Sequence, residues 1–464
     1  MRYKLFALIM LALGFGVAGR TPDLTKVGET VEARIESPHP ISGFWRQDLD
    51  IPGATFLKLH LADMHLGDGD LLLITDAYGQ EVYSQTGPMT QEGWLPRVDG
   101  DHLTIEVWPA KGSTARGLTV DKVAQGIATP NPESICGVDD SLNAVCYQSD
   151  AGKWAAGDAV GCMLFQMGGG GGWYACTGSL VSPYNHFLTN NHCIGNEQDA
   201  STLEVYWRYQ VPSCGGGTAT YATISRNAHL LITDAGYDFS LLTFCNDTPS
   251  LRYGNLQLNS VLPSVGDVLW IPQHPGGDPK RFSVVSDMDG GGNAKVQSVN
   301  ITGNVVGSDI GYYADTRPGS SGSPVLDGNN KVIALHHFGL DPGISCGGSR
   351  MNSGVKMSKI YPLISSYLTG PSSCTAIPPP VISEVTKVTN PPPLKLKITG
   401  SNFHPGCTIK IDGQPVPDTQ VKSATLIKAK GSGLKAMLPK GVTVQITVVN
   451  NDDGGISAAW PYTR

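Results

Sequence analysis

The sequence predicts an all-β protein made of several barrels and sandwiches, and three observations point there. Glycine is abundant, at 57 of 464 residues. Apolar residues alternate with polar ones over short runs instead of recurring at helical spacing. Clusters of turn-forming residues punctuate those runs at short intervals. At roughly 150 residues per domain the length suits about three domains. The net charge of −7 with 16% charged residues leaves no basic footprint of the kind nucleic-acid binding requires, so no nucleic-acid partner is expected.

Residues 1–19 have the pattern of a secretory signal peptide. Arg2 and Lys4 supply the positive start, Leu5 to Val17 the apolar centre, and Ala18-Gly19 a small-residue cleavage site. That apolar run is too short to span a bilayer comfortably, and no later segment reads as a membrane helix. The expectation is an exported, extracellular protein without membrane insertion, working as a monomer. Ten cysteines occur, none before Cys136, and an oxidising destination makes disulfides the default. Metal-ligand spacings are lacking, so neither metal nor cofactor is expected.

Residues 20–133 carry no cysteine and read as a β-sandwich. Its clearest strands are Ala54 to Leu61, Asp70 to Thr75 and His102 to Trp108, with turns at Asp76 to Gln80 and Val98 to Asp101. The polar, Pro-rich join Ala128 to Ser134 suits an exposed processing site.

Residues 134–370 hold the chemistry. In Gly319-Ser320-Ser321-Gly322-Ser323-Pro324-Val325, glycines give the backbone the positive φ that a tight donor loop needs. Ser321 is the candidate nucleophile, and the N–H groups of Gly319 and Ser321 the candidate oxyanion donors. Alone, such a tetrad is more often a surface turn. Two partners upstream change the balance. His192 ends the apolar run Phe187-Leu188-Thr189-Asn190-Asn191-His192-Cys193, and Asp238 opens Phe239 to Phe244. Cys176 and Cys193 flank the His segment and are expected to pair. The glycine run Gly168 to Gly172 precedes no helix and lacks a following Lys-Ser/Thr, so it reads as a hairpin tip and not a phosphate loop. A second barrel is expected to start near Val261, with strands Gly266 to Ile271 and Lys331 to His337.

The order His, Asp, Ser is that of the chymotrypsin-type triad. On these residues, with Ala175 to Val181, Val205-Tyr206-Trp207, Tyr209-Gln210 and Pro318 to Pro324, the chain resembles secreted bacterial serine proteases of the trypsin/chymotrypsin clan, in particular the lysyl endopeptidase family. The resemblance runs from about Cys136 to about Tyr367. It implies a chymotrypsin-like double β-barrel, a serine endopeptidase acting on protein or peptide substrates, and disulfides Cys136–Cys346 and Cys146–Cys214. Elimination then leaves Cys162 with Cys245 and Cys374 with Cys407. It also implies that Phe338 and Gly339 line the substrate cleft. Relatives carry an N-terminal prosegment, so residues 20–133 read either as a prosegment removed on maturation or as a permanent binding domain. Ser320 stands where vertebrate-type zymogens keep an Asp for the new amino terminus, so that ion pair cannot form here.

Selectivity departs from the family pattern. The position matching the lysine-selecting Asp is Asn352, and the pocket His corresponds to His336 without its stacking Trp. Asp315, six residues before the nucleophile, fits either a pocket carboxylate selecting basic residues or the cap of the Tyr312 to Thr316 turn.

A linker, residues 371–380, leads to a last module at 381–464. Its alternating runs, with Ile398 to Phe403 and Val449 to Gly455, resemble the immunoglobulin-like IPT/TIG fold, and a surface or polymer ligand is the expected partner. The competing reading of the whole chain is a secreted adhesion or binding protein with a degenerate protease domain.

Overall fold

The computed structural model describes residues 24–464 except 42, 114–115, 129–133, 169, 246, 341–343, 373–379, 389–393, 404–406, 417, 424, 432 and 450–456. The leader segment, Cys374, most of the processing join and most of the Val449 to Gly455 motif therefore lie outside the described residues. Among the described residues no helix is long and apolar enough to cross a membrane.

The N-terminal sandwich places β1 (Thr25–Glu36), β2 (Phe56–Leu66) and β3 (Gly117–Gly126) in one sheet. The facing sheet runs Trp45–Asp50, His102–Trp108, Leu71–Asp76, Glu81–Thr86. Alternation along these strands delivers Leu57, Leu59, Leu61, Leu72, Ile74, Leu103, Ile105 and Val120 into one shared core. The Asp76 turn closes as the sequence suggests, with Asp76 Oδ1 accepting from the N–H of Tyr78 and Gln80. Val98–Asp99, read as a turn, instead pairs with Phe56 and Leu57.

A first barrel follows, with β4 (Val160–Gln166), β5 (Gly172–Leu180), β6 (His186–Thr189), β7 (Glu204–Trp207) and β8 (Phe239–Phe244). The Gly168 to Gly172 run connects β4 to β5, which pair from Val160↔Ser179 to Gln166↔Trp173, so it is a hairpin connection. The second barrel contains β9 (Leu269–Gln273), β10 (Asp309–Tyr312), β11 (Pro324–Asp327), β12 (Val332–Phe338) and β13 (Asn352–Lys356). Leu269–Gln273 and Val332–Phe338 are buried along their whole length, and their runs from Leu269 to Ile271 and from Val332 to Leu335 are continuously apolar. The whole is a chymotrypsin-like double barrel flanked by two β-sandwiches, the second an immunoglobulin-like pair of four-stranded sheets with Leu396, Ile398, Ile409, Ile427 and Ile446 at its centre.

The N-terminal sandwich is not merely tethered to the barrel. β1 pairs with β3 on one side and with β5 on the other, at Thr25↔Ala175, Lys26↔Tyr174 and Gly28↔Trp173. A Cβ on Gly28 would come within 2.9 Å of the Phe56 ring and 3.0 Å of the Gln125 carbonyl, so the close approach requires glycine there. Val27, Phe56 and Ala124 share a core with Leu164, Trp173, Tyr206 and Tyr209. Lys58, fully buried, forms an ion pair with Glu204, which also accepts from Tyr206 Oη (2.6 Å) and Arg226 Nε (3.0 Å). Arg97 lies over Tyr209 and donates to its hydroxyl at 3.2 Å, while that hydroxyl donates to Asp99 at 2.8 Å.

Disulfides join Cys136–Cys346, Cys146–Cys214 and Cys176–Cys193. The pairing of Cys162 with Cys245 is overturned. Cys245 is disulfide-bonded, whereas Cys162 is a free thiol buried in β4 against this shared core. Burial there pushes its thiol up to about 12, so it packs as a small apolar side chain.

Candidate active site

His192 follows β6 by three residues, and Asp238 immediately precedes β8; β6 and β8 pair at Thr189↔Ser240, which brings the two together. Asp238 adopts φ +45°, a left-handed conformation unusual for a residue with a side chain. Its Oδ1 accepts the His192 backbone N–H at 2.9 Å, and its Oδ2 lies 2.8 Å from His192 Nδ1. Asn190 and Asn191, unusual before the His, have a structural job. Asn190 Nδ2 donates to the Asp238 carbonyl (2.8 Å) and Asn191 Nδ2 to Thr233 (2.7 Å), locking the two loops together.

The nucleophile loop needs its glycines. Gly319 has φ +95° and Gly322 φ +85°; a Cβ would meet Gly276 N at 2.7 Å in the first case and the Thr177 carbonyl at 2.0 Å in the second. The Ser320 N–H donates to Arg317 and that of Gly322 to His336, while those of Gly319 and Ser321 donate to no acceptor among the described residues. The Ser321 carbonyl accepts from Thr177 N (2.8 Å), next in the chain to Cys176, whose disulfide partner Cys193 follows His192. So base and nucleophile are pinned to neighbouring points of β5. No hydrogen bond joins them: His192 Nε2 is buried and without a partner. Cys176, His192 and Cys193 cluster closely enough to suggest metal ligands, but the disulfide consumes both thiolates.

Sequence reasoning missed one participant. His337, fully buried, sets Nδ1 at 3.0 Å from Asp238 Oδ2 and Nε2 at 2.7 Å from Asp309 Oδ2, which also accepts from Ser353 Oγ at 2.9 Å. Two carboxylate partners require both ring nitrogens to donate, so this imidazole is charged. Burial alone would lower its pKa, but the bonds to Asp238 and Asp309 outweigh it and lift it to about 9. Burial likewise works to raise Asp238, and the two imidazoles prevail, holding its carboxyl well below the usual range. The His-His pair was visible in the sequence, but nothing marked Asp309 as its counter-ion.

A pH prediction follows from this pair. A raised histidine pKa adds stability that is fully present below the ordinary value near 6.5 and is lost as pH rises through about 9. The thermal midpoint of the wild type, minus that of His337→Gln, should therefore shrink between pH 6.5 and 9. The difference curve removes the contributions of Lys58 and Asp315, whose pKa values are also displaced. A difference independent of pH across that window would refute the charged state.

The remaining sequence-predicted cleft residues come together, but each is already engaged. Asp315 is buried and its two oxygens accept the N–H groups of Cys136 (2.8 Å) and Asp140 (2.7 Å), so it anchors that segment; burial lifts its pKa to about 7. Asn352 donates to the carbonyls of Ser134 and Ala314, both at 2.8 Å. His336 lies 2.7 Å from the Tyr312 hydroxyl, and burial with two neighbouring imidazoles pushes it down to about 3. Phe338 is buried with its ring against His337, and Gly339 abuts Ser134.

The two barrels define the chymotrypsin-like class of fold, and comparison with known proteins supports a serine peptidase, a hydrolase. Residues 138–354 match the family model of the lysyl endopeptidase C-terminal domain, and residues 380–463 that of the IPT/TIG domain. Secreted RxLR effector protein 73 of Plasmopara viticola is 34% identical over 332 residues, covering 67% of this chain and 81% of that protein. Lysyl endopeptidase of Pseudomonas aeruginosa is 28% identical over 348 residues, covering 68% and 71%. Among solved structures, a Glu endopeptidase in complex with MPD is 20% identical (TM-score 0.33; 50% of this chain, 98% of that one). A serine endoprotease from Yersinia pestis is 15% identical (TM-score 0.32; 67% and 94%). The chain belongs to the trypsin-like serine proteases, with a protease domain of lysyl endopeptidase type and a C-terminal IPT/TIG domain.

Proposed function

We propose that the protein is an exported serine endopeptidase that cleaves protein or peptide substrates through an acyl-enzyme. Ser321 attacks the peptide carbonyl and His192 Nε2 takes its proton. Asp238 holds the imidazole tautomer and stabilises the cation, and the N–H groups of Gly319 and Ser321 receive the oxyanion. The observation that carries this reading is the pairing of Asp238 with both the backbone and the ring of His192, which leaves the far ring nitrogen buried and without a partner among the described residues. Catalytic hydrogen bonds are often formed only once substrate is bound. Export is supported by the leader-like residues 1–19 and by disulfides that include Cys136–Cys346, Cys146–Cys214 and Cys176–Cys193. The IPT/TIG module carries no chemistry in this reading and serves as a surface- or polymer-binding appendage.

The missing His192–Ser321 bond favours a second reading, a degenerate binding protein. A serine-directed fluorophosphonate separates the two. Covalent labelling mapped by mass spectrometry to Ser321 is the expected result, and an unlabelled folded protein would reject the peptidase reading.

A further inference from the structure

Resting on that peptidase reading, we infer that Ser134 occupies the pocket beside the nucleophile, so that the enzyme selects small, uncharged side chains at the residue whose carbonyl is attacked. Two chain segments flank the reacting serine. One is Asp315-Thr316, which leads into the nucleophile loop; the other is the end of β12, where the His336 carbonyl accepts the Gly322 N–H and the chain continues to Gly339. A substrate side chain next to the attacked carbonyl must enter between those two segments. Ser134 already lies there. It forms an isolated bridge to Thr316 on one wall, and its Oγ is only 1.8 Å, and its Cβ 2.7 Å, from where a Cβ on Gly339 would stand on the other. From the base of the pocket Asn352 Nδ2 donates to the Ser134 carbonyl at 2.8 Å.

The occupant is fixed in place. Two residues on, Cys136 is disulfide-bonded to Cys346 and its N–H is held by Asp315. Ser134 itself is buried. A long side chain would have to displace a segment anchored by a covalent bond and several hydrogen bonds.

Charge selection is closed off as well. A basic side chain needs a free carboxylate, and both oxygens of Asp315 are bonded to backbone N–H groups. An acidic one needs a free cation, and the charged His337 is enclosed between Asp238 and Asp309. Asn352 and His336 are neutral and already bonded.

The test uses the full chain and quenched fluorescent peptides that differ only at the residue before the cleaved bond. Expected is a kcat/KM for Ala, Gly or Ser at least tenfold above those for Leu, Lys, Arg and Glu. Ser134→Gly should raise the Leu/Ala ratio about fivefold or more by vacating the space against Gly339. A preference for Lys, Arg or Glu would overturn the inference, and so would an unchanged ratio in a folded Ser134→Gly protein. Should that variant fail to fold, the wild-type profile alone decides. Should the wild type resist fluorophosphonate, the peptidase reading fails, and the pocket is then read by fluorescence anisotropy of labelled peptides on Ser321→Ala. Peptides ending in Ala that bind tenfold tighter than those ending in Lys support it, and equal or reversed affinity overturns it.

Discussion

Ser321→Ala is expected to lower casein hydrolysis by about 10⁴-fold or more while leaving the thermal unfolding midpoint nearly unchanged. The size follows from the role. A nucleophilic hydroxyl and its base act as a unit, and without the hydroxyl only substrate positioning and the oxyanion donors remain. The stability half follows from the geometry. Ser321 makes its connection to the barrel through its carbonyl, bonded to Thr177, and its side chain holds no bond to His192. Alanine therefore leaves no newly orphaned buried group, and the change should stay within about 0.5 kcal/mol. Hydrolysis at the parental rate by the purified variant would remove Ser321 from the mechanism.

Lys58→Ala is expected to destabilise the protein by about 3 kcal/mol in a denaturant titration. The ammonium is fully buried, and burial pulls its pKa down to about 8 against the attraction of Glu204. Removing it leaves a buried carboxylate supported by Arg226 and Tyr206 alone. Arg226 keeps the cost near the lower end of the range for a broken buried pair. The double variant Lys58→Met with Glu204→Gln should recover most of the loss, since it removes both charges together. A single-variant loss below about 1 kcal/mol would mean that the pair does not hold the sandwich to the barrel.

Much of this architecture is legible in the sequence because exposure patterns are local. His102 to Trp108 alternates cleanly and folds as that strand, while Val160 to Phe165 carries no polar side chain and is buried throughout because it lies inside a barrel. The nucleophile loop is readable from its glycines, which the chain needs for steric reasons at Gly319 and Gly322. What the sequence hides is partnership across long separations. Asp315 looks equally like a pocket charge or a turn cap, and the deciding partners, Cys136 and Asp140, lie about 175 residues away. Asp309 has no local signature at all; it matters because β10 and β12 both pair with β13 and so bring it to His337. The elimination that paired Cys162 with Cys245 failed for the same kind of reason. A count of thiols does not show that one of them, Cys162, faces an apolar core shared by the sandwich and the barrel.

The double pairing of β1 bears on how the molecule can be trimmed. In the intact chain β1 covers the rim of β5 from Gly172 to Ala175. Excising residues 24–127 would strip that cover and leave a row of main-chain donors and acceptors looking for another strand, with Trp173, Tyr206 and Tyr209 newly wetted beside it. Such a stump is a template for self-association. The leading hundred residues thus act as a built-in guard against clumping, whether or not the peptide link to the rest is ever cut.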